Sequence, residues 1–190
     1  ELSKNAKDKA NSYSYENVRK QWLDAFKNMN IHDLKTRVMF TSSAGGHYSE
    51  LCELDELMKR YNSFLLTEDH EMMKEIKKTN QSRSWYMPAG TKEHLFKFLC
   101  NFPITIIRSF KAFLKVKADI VIATWAHTTV PICYIAKLFG KKVIFIETFA
   151  NITTKTLSGK LVYPIADLFL VQWEEMLELY PNAKYRGGLK

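Results

Sequence analysis

The 190-residue chain has few cysteines and glycines, and it has no long apolar run. Its three cysteines, Cys52, Cys100 and Cys133, are odd in number and far apart in apolar contexts, which predicts reduced core thiols in the cytosol rather than disulfides. None lies at zinc-ligand spacing from a histidine or a second cysteine, so no metal site is expected. No apolar stretch approaches the roughly 20 residues that a membrane-spanning helix needs.

Acidic residues are also in short supply. The formal net charge is +8, with a pI of about 9.3, which favours an anionic partner: a nucleic acid, a membrane surface or a phosphorylated substrate. No RNP, KH or zinc signature accompanies the basic residues, so we do not expect nucleic acid to be the partner.

The first 36 residues are polar but contain a helical pattern. Apolar residues recur there at helical spacing and predict an amphipathic N-terminal extension over residues 1–36. These residues are Val18, Trp22, Leu23, Phe26 and Met29. Such a helix either packs on the rest of the chain or binds a membrane surface or a partner.

From residue 37 to residue 190, short β-rich runs alternate with helical patterns. This alternation is typical of an α/β fold, a Rossmann-like parallel sheet with helices on both faces. The predicted strands are RVMFTS, SFLLTE, SRSWYM, DIVIAT, KVIFIE and LFLVQ. Ligands of such sheets bind beyond the carboxyl ends of the strands, which directs attention to residues 42–47, 124–129 and 147–155.

The first of these loops, SSAGGH, contains two adjacent glycines. Beside Gly45 and Gly46, backbone N–H groups can approach an anion closely, and the positive end of the following helix adds to the attraction. His47 could deprotonate a sugar hydroxyl or bond to a diphosphate. A tight turn with a capping histidine is the structural alternative. Neither the P-loop nor the dinucleotide-binding glycine pattern is present, which disfavours an ATPase or a dehydrogenase.

The other two loops offer a histidine, hydroxyl groups and a carboxylate. We expect Thr128 or Thr129 to cap the next helix, while His127 could face the crevice. Glu147 ends an otherwise apolar strand, where it could act as a base or serve as a satisfied structural carboxylate.

Residues 92–117 combine cations with aromatic and aliphatic side chains. Six basic residues stand there against one acid, interleaved with phenylalanine, leucine and isoleucine residues. The pattern suits attachment to an anionic bilayer surface. It equally suits a covering helix, interrupted near Pro103, with a solvated basic face.

Three blocks of sequence carry a resemblance to a known family. They are SSAGGHYSEL, HTTVPICYIAKLFGKKVIFIETFA and LSGKLVYPIADLFLVQWEEMLELYPNAKYRGG. Together they resemble the PssD-type bacterial polysaccharide-biosynthesis proteins. These are similar to the membrane-anchoring subunit of the eukaryotic split N-acetylglucosaminyltransferase that makes dolichol-linked chitobiose. The chain departs from the family pattern at Trp125, Thr148 and Asn151, where glycine, serine and arginine are common.

This resemblance implies half of a GT-B glycosyltransferase. The chain would be the N-terminal, acceptor-binding domain of a bipartite inverting enzyme that acts on a polyprenyl-diphosphate-linked saccharide in capsule or exopolysaccharide assembly. A PssE-type catalytic partner would bind most of the nucleotide sugar, which we expect to be UDP-linked, and no metal or other cofactor is implied. We expect peripheral attachment at the cytoplasmic face of the membrane.

The resemblance also implies roles for residues. The diphosphate of the acceptor would be held by residues of the first two loops, and the acceptor hydroxyl would lose its proton to His47 or Glu147. The binding residues are Ser43, Gly45, Gly46, His127, Thr128 and Thr129. The alternative is a non-catalytic scaffold that recruits and stabilises the catalytic chain at the membrane.

Overall fold

A computed structural model of the chain describes residues 20–22, 24–25, 35–69, 83–88 and 95–188; the side chains of residues 47 and 95–101 lie outside this description. The strands are β1 (Arg37–Ser42), β2 (Asn62–Glu68), β3 (Ser84–Met87), β4 (Ile120–Thr124), β5 (Lys142–Ile146), β6 (Leu168–Val171) and β7 (Lys184–Tyr185). The helices are α1 (Gly46–Cys52), α2 (Asp55–Arg60), α3 (Leu95–Val116), α4 (Val130–Leu138), α5 (Leu157–Val162) and α6 (Met176–Leu179), with a 3-10 turn at His127–Thr129 before α4.

The strands form one sheet in the order β3-β2-β1-β4-β5-β6-β7, and every pairing in it is parallel. Strand β1 lies between β2 and β4, and its Val38 is in register with Ser63 of β2 on one side and with Ile120 of β4 on the other. The six strands expected from the sequence are all present, and the two-residue strand β7 is an addition.

Helices cover both faces of the sheet because alternate residues of each strand point to opposite sides. On one face, Met39, Val121 and Phe145 share a buried cluster with residues of α3 and α4. On the other, Phe40 and Ile144 pack with residues of α1 and α2. The expected Rossmann-like α/β architecture is therefore confirmed.

Two details of the sequence analysis are wrong. Helix α3 runs without a break through Pro103. The buried face it presents to the sheet, which includes Ala112 and Phe113, offsets the hydrogen bond that proline removes. Cys52 is exposed rather than part of the core, because it lies on the outer side of α1, whereas Cys133 is buried as expected. The side chain of Cys100 lies outside the described residues.

Ion pairs lie at the amino-terminal ends of the strands, which we call the amino edge of the sheet. The Asp119 carboxylate accepts hydrogen bonds from Arg37 Nε at 3.3 Å and from Lys141 Nζ at 3.1 Å. Burial alone would raise the pKa of Asp119, but the bonds from Arg37 and Lys141 outweigh it and hold the pKa below its ordinary value. Asp167 bonds Lys137 Nζ at 2.6 Å and the Val143 amide at 2.8 Å in the same way.

The helical residues near the N-terminus pack on this domain. Trp22 is only 1% exposed and lies with Ala25 in the cluster beneath α1 and α2. Its indole Nε1 donates a hydrogen bond to the carbonyl oxygen of Gly187 at 3.3 Å. These contacts favour the packed-helix interpretation for this stretch. Val18, Leu23, Phe26 and Met29 lie outside the described residues.

We expect Trp22→Ala to lower the free energy of unfolding by about 3–5 kcal/mol, because it removes a fully buried aromatic side chain. Urea unfolding measures the loss, and Lys20→Ala, at an exposed helical position, is the control. Unchanged stability together with lost binding to lipid vesicles would instead support the membrane-surface interpretation of this helix.

Candidate functional site

The candidate site lies where the order of the strands reverses. The chain passes from β1 outward to β2 and β3, and then from β4 outward in the opposite direction to β5, β6 and β7. In parallel sheets, the connections on either side of such a point leave a crevice beyond the carboxyl ends of the two strands. The loop after β1 and the 3-10 turn after β4 are therefore neighbours, and the turn contacts β1.

The loop after β1 depends on glycine. Gly45 has φ of +85°, a left-handed conformation that residues with side chains rarely adopt, and it stands immediately before α1. Its carbonyl accepts hydrogen bonds from the amides of Tyr48 at 3.0 Å and Ser49 at 3.2 Å, which starts the helix. A Cβ added at Gly46 would meet no atom within 4 Å, so the space beside this residue is open.

His47 is the second residue of α1, and its side chain lies outside the described residues. The amides of Gly46 and His47 begin the helix and so have no acceptor within it. Ser43, just before the glycines, is buried with 8% exposure. The backbone thus places Ser43, Gly45, Gly46 and His47 at one edge of the crevice.

Across the crevice, the 3-10 turn carries the three predicted residues His127, Thr128 and Thr129. His127 is half-buried and the two threonines are buried. The expectation that a threonine side chain caps α4 is wrong. The Thr129 hydroxyl instead donates back to the carbonyls of Ala126 at 2.8 Å and Thr124 at 3.4 Å, because the 3-10 turn brings these oxygens within reach.

Sequence reasoning missed a group of buried hydroxyls at the same edge. Thr41, Ser42 and Thr67, at the ends of β1 and β2, and Thr128 have side-chain oxygens with no hydrogen-bond partner among the described residues. Leaving a buried hydroxyl unpaired is costly, so such groups are uncommon and call for an explanation. A signal was present in the sequence: β1, β2 and β4 each change from apolar residues to serine or threonine near the carboxyl end.

Glu147 lies inside the protein. It is fully buried, and its carboxylate accepts hydrogen bonds from the Thr148 amide at 3.0 Å, the Thr156 hydroxyl at 2.9 Å and the Tyr180 hydroxyl at 2.9 Å. Burial raises the pKa of Glu147, although these three hydrogen bonds act in the opposite direction. The contacts are those of a structural carboxylate. That Glu147 acts as a base remains a prediction, which these contacts do not favour.

The Glu147 cluster also orders the start of α5. The Thr156 hydroxyl accepts a hydrogen bond from the Gly159 amide at 2.9 Å, which caps the helix. A Cβ at Gly159 would overlap with the Glu147 carboxylate and the Tyr180 hydroxyl. Glycine at this position therefore permits the close approach of α5 to the end of β5.

The sheet order and the polar switch point together define a Rossmann-like α/β protein of the type found in GT-B glycosyltransferases and UDP-N-acetylglucosamine 2-epimerases. Solved structures show the same fold. MurG from Acinetobacter baumannii matches with a TM-score of 0.56 and 15% identity over 73% of this chain and 41% of that chain. The UDP-GlcNAc 2-epimerase from Neisseria meningitidis matches with a TM-score of 0.58 and 14% identity over 79% and 46%. The chain thus spans less than half the length of either protein.

The sequence gives the family. Residues 37–189 match the model of the family described as "Oligosaccharide biosynthesis protein Alg14 like", and the chain belongs to this family. The UDP-N-acetylglucosamine transferase subunit ALG14 of Rattus norvegicus is 29% identical over 179 residues, which cover 80% of this chain and 82% of that protein. The subunit of the same name from Homo sapiens is 38% identical over 87 residues, 43% and 40% of the two chains.

Because Glu147 and Tyr180 are held in place by hydrogen bonds, they cannot move away cheaply from an added methyl group. We expect Gly159→Ala to lower the free energy of unfolding by about 1–3 kcal/mol, as over-packing does. Gly46→Ala is the matched control, since its Cβ has open space. Urea unfolding compares the two. Equal stability of both variants would show that the Glu147 cluster adapts freely.

Proposed function

We propose that this chain is the acceptor-binding, membrane-associating subunit of a two-chain inverting glycosyltransferase. In this proposal, N-acetylglucosamine passes from UDP-N-acetylglucosamine to a saccharide linked to a polyprenyl diphosphate. Membership of the Alg14 family supports it, because its relatives are named as subunits of a UDP-N-acetylglucosamine transferase. One observation carries the proposal. The loop that contains Gly45 and Gly46, the glycine loop, faces the polar 3-10 turn across the switch point, where the strand order reverses between β1 and β4.

A partner chain would supply the rest of the active site. The chain spans 41% of MurG and 46% of the epimerase, and in this proposal a partner chain provides the remainder of that architecture. We propose that the partner binds most of the nucleotide sugar and stabilises the departing UDP, with no metal ion or other cofactor required. The finer part of the proposal is a PssE-type partner acting in capsule or exopolysaccharide assembly.

The acceptor diphosphate would bind beside the glycine loop. The amides of Gly46 and His47 need an acceptor outside the helix, and the absence of a side chain at Gly46 leaves room for one. Ser43 and Thr128 can add hydroxyl donors, and half-buried His127 can add an imidazole donor. Thr129 contributes less, because its hydroxyl already bonds to two backbone carbonyls.

We propose His47 as the base. The acceptor hydroxyl oxygen would bond to the anomeric carbon of the donor, the bond from that carbon to UDP would break, and the hydroxyl proton would pass to His47. Histidine is the side chain that most often acts as a general base in enzymes. Glu147 is less suited to be the base, because it would first have to break its hydrogen bonds to Thr156 and Tyr180.

With the partner chain present, we expect His47→Ala to slow sugar transfer by about 10²–10⁴-fold, the usual contribution of a positioned base. Gly46→Ala should weaken acceptor binding without loss of stability. Glu147→Gln, which keeps the shape of the side chain, is the comparison and should retain transfer. The measurement is transfer of labelled N-acetylglucosamine to a polyprenyl-diphosphate-linked acceptor. Wild-type rates for both His47→Ala and Gly46→Ala, with the complex intact, would favour the scaffold alternative.

Helix α3 has a surface suited to a membrane. Its solvent-facing side exposes apolar residues, including Ile107 at 54% and Leu114 at 46%, with the exposed Lys111 between them. Within the described ranges, no helix is both long enough and apolar enough to cross a bilayer. We propose that this face attaches the chain peripherally to the cytoplasmic face of an anionic membrane.

Vesicle sedimentation tests this surface. Vesicles containing anionic lipid should retain the protein more strongly than neutral vesicles, because Lys111 and its basic neighbours attract anionic headgroups. The double variant Ile107→Ser, Leu114→Ser should reduce retention, while Ile152→Ser, at a residue 38% exposed outside α3, should not. Equal retention on both lipids and by all variants would leave α3 without this role.

A further inference from the structure

A second buried carboxylate lies behind the glycine loop. Glu50, on α1, is 4% exposed and stands one helical turn after Gly46 and His47. It points toward the carboxyl ends of the strands, whereas its neighbours Leu51 and Leu54 pack in the apolar cluster. A carboxylate in such a position is costly unless hydrogen bonds satisfy it. Its partners therefore indicate what it does.

Two of the partners of Glu50, Thr148 and Gln172, closely follow β5 and β6. The Gln172 side chain follows β6, is 2% exposed, and donates from Nε2 to Glu50 Oε2 at 3.2 Å. The same nitrogen donates to the backbone carbonyl of Glu147 at 2.9 Å. The Thr148 hydroxyl, 3.5 Å from Glu50 Oε1, adds a weaker second contact. One amide group thus joins α1 to the end of β5.

The connection continues into the segment after β5. The Thr148 hydroxyl accepts a hydrogen bond from the Ala150 amide at 3.1 Å. The Thr148 amide donates to the Glu147 carboxylate, which is in turn bonded to Thr156. Glu50 is therefore linked through Gln172 and Thr148 to residues 148–156, which follow β5 at the carboxyl-terminal end of the sheet.

We propose that Glu50 is a positioning residue that holds the glycine loop in register with residues 148–156. Hydrogen bonds are directional and fix one arrangement of α1 on the sheet, whereas apolar contacts alone permit small shifts. The arrangement fixes the first turn of α1, where Gly46 and His47 lie. These hydrogen bonds are present in the free chain. Their effect on sugar transfer rests on the proposed function.

Hydrogen–deuterium exchange of the free chain tests the link. We expect Glu50→Gln to speed exchange of the Ala150 amide about ten-fold, the effect of losing one hydrogen bond to a charged group. The change is on α1 and the readout is beyond β5, so the exchange rate of the Ala150 amide reports on the contacts that run from Glu50 through Thr148. Asp119→Asn is the matched control at the opposite edge of the sheet and should leave the Ala150 amide unaffected. Equal exchange in wild type and Glu50→Gln would overturn the proposal.

Gln172→Met provides a second route if Glu50→Gln does not fold. It removes the shared donor while keeping the volume of the side chain, and we expect it to speed exchange of the Ala150 amide by a similar factor. If both variants act through one contact, the double variant should exchange no faster than the faster single variant. If the exchange rate in the double variant instead rises by the product of the two single-variant factors, the linkage between Glu50 and Gln172 is overturned.

The assembled transferase tests the positioning role itself. We expect Glu50→Gln to raise KM for a polyprenyl-diphosphate-linked N-acetylglucosamine acceptor about ten-fold, while Asp119→Asn leaves it unchanged. An unchanged KM with altered exchange would overturn the positioning role. A wild-type complex that transfers no sugar would count against the proposed function, and the exchange comparison would then decide the link on its own.

Discussion

The structure depends on one constraint, the direct parallel pairing of β1 with β4. The connections that follow these two strands leave toward opposite ends of the sheet, which places helices on both faces and opens a crevice between the strands. The glycine loop and the 3-10 turn meet there because Thr41 of β1 is in register with Ala123 of β4. The position of every candidate binding residue follows from this pairing.

Different interactions stabilise the amino-terminal and carboxyl-terminal ends of the strands. At the amino edge, Asp119 and Asp167 form partly exposed ion pairs with lysine and arginine. At the carboxyl-terminal ends of the strands, Glu50 and Glu147 are buried and accept hydrogen bonds from neutral amide, hydroxyl and phenol groups. In the proposed function, an anionic ligand at these ends of the strands would bind to backbone amides of the glycine loop.

Much of the fold could be predicted from the sequence, because buried parallel strands are continuous β-branched and aromatic runs, as in β4 and β5. The two residues of β7 carry no such pattern. The loops of the site were predictable from topology, but the sequence could not decide between the two roles offered for Glu147, a base and a structural carboxylate. Its donors Thr156 and Tyr180 lie 9 and 33 residues further along the chain, and no local pattern connects them. Glu50 was missed for the same reason, since its partner Gln172 is 122 residues away.

The account rests on the claim that the switch point binds the diphosphate of a carrier-linked saccharide. Amide chemical shifts of the isolated chain, titrated with a short-chain polyprenyl-diphosphate-linked N-acetylglucosamine, test this most directly. The account predicts that shifts concentrate at Gly45 and Gly46 and across the crevice at Thr128, with none near Asp119 at the opposite edge. Saturable binding that moves the amides around Asp119 and leaves Gly45 and Gly46 unchanged would contradict it.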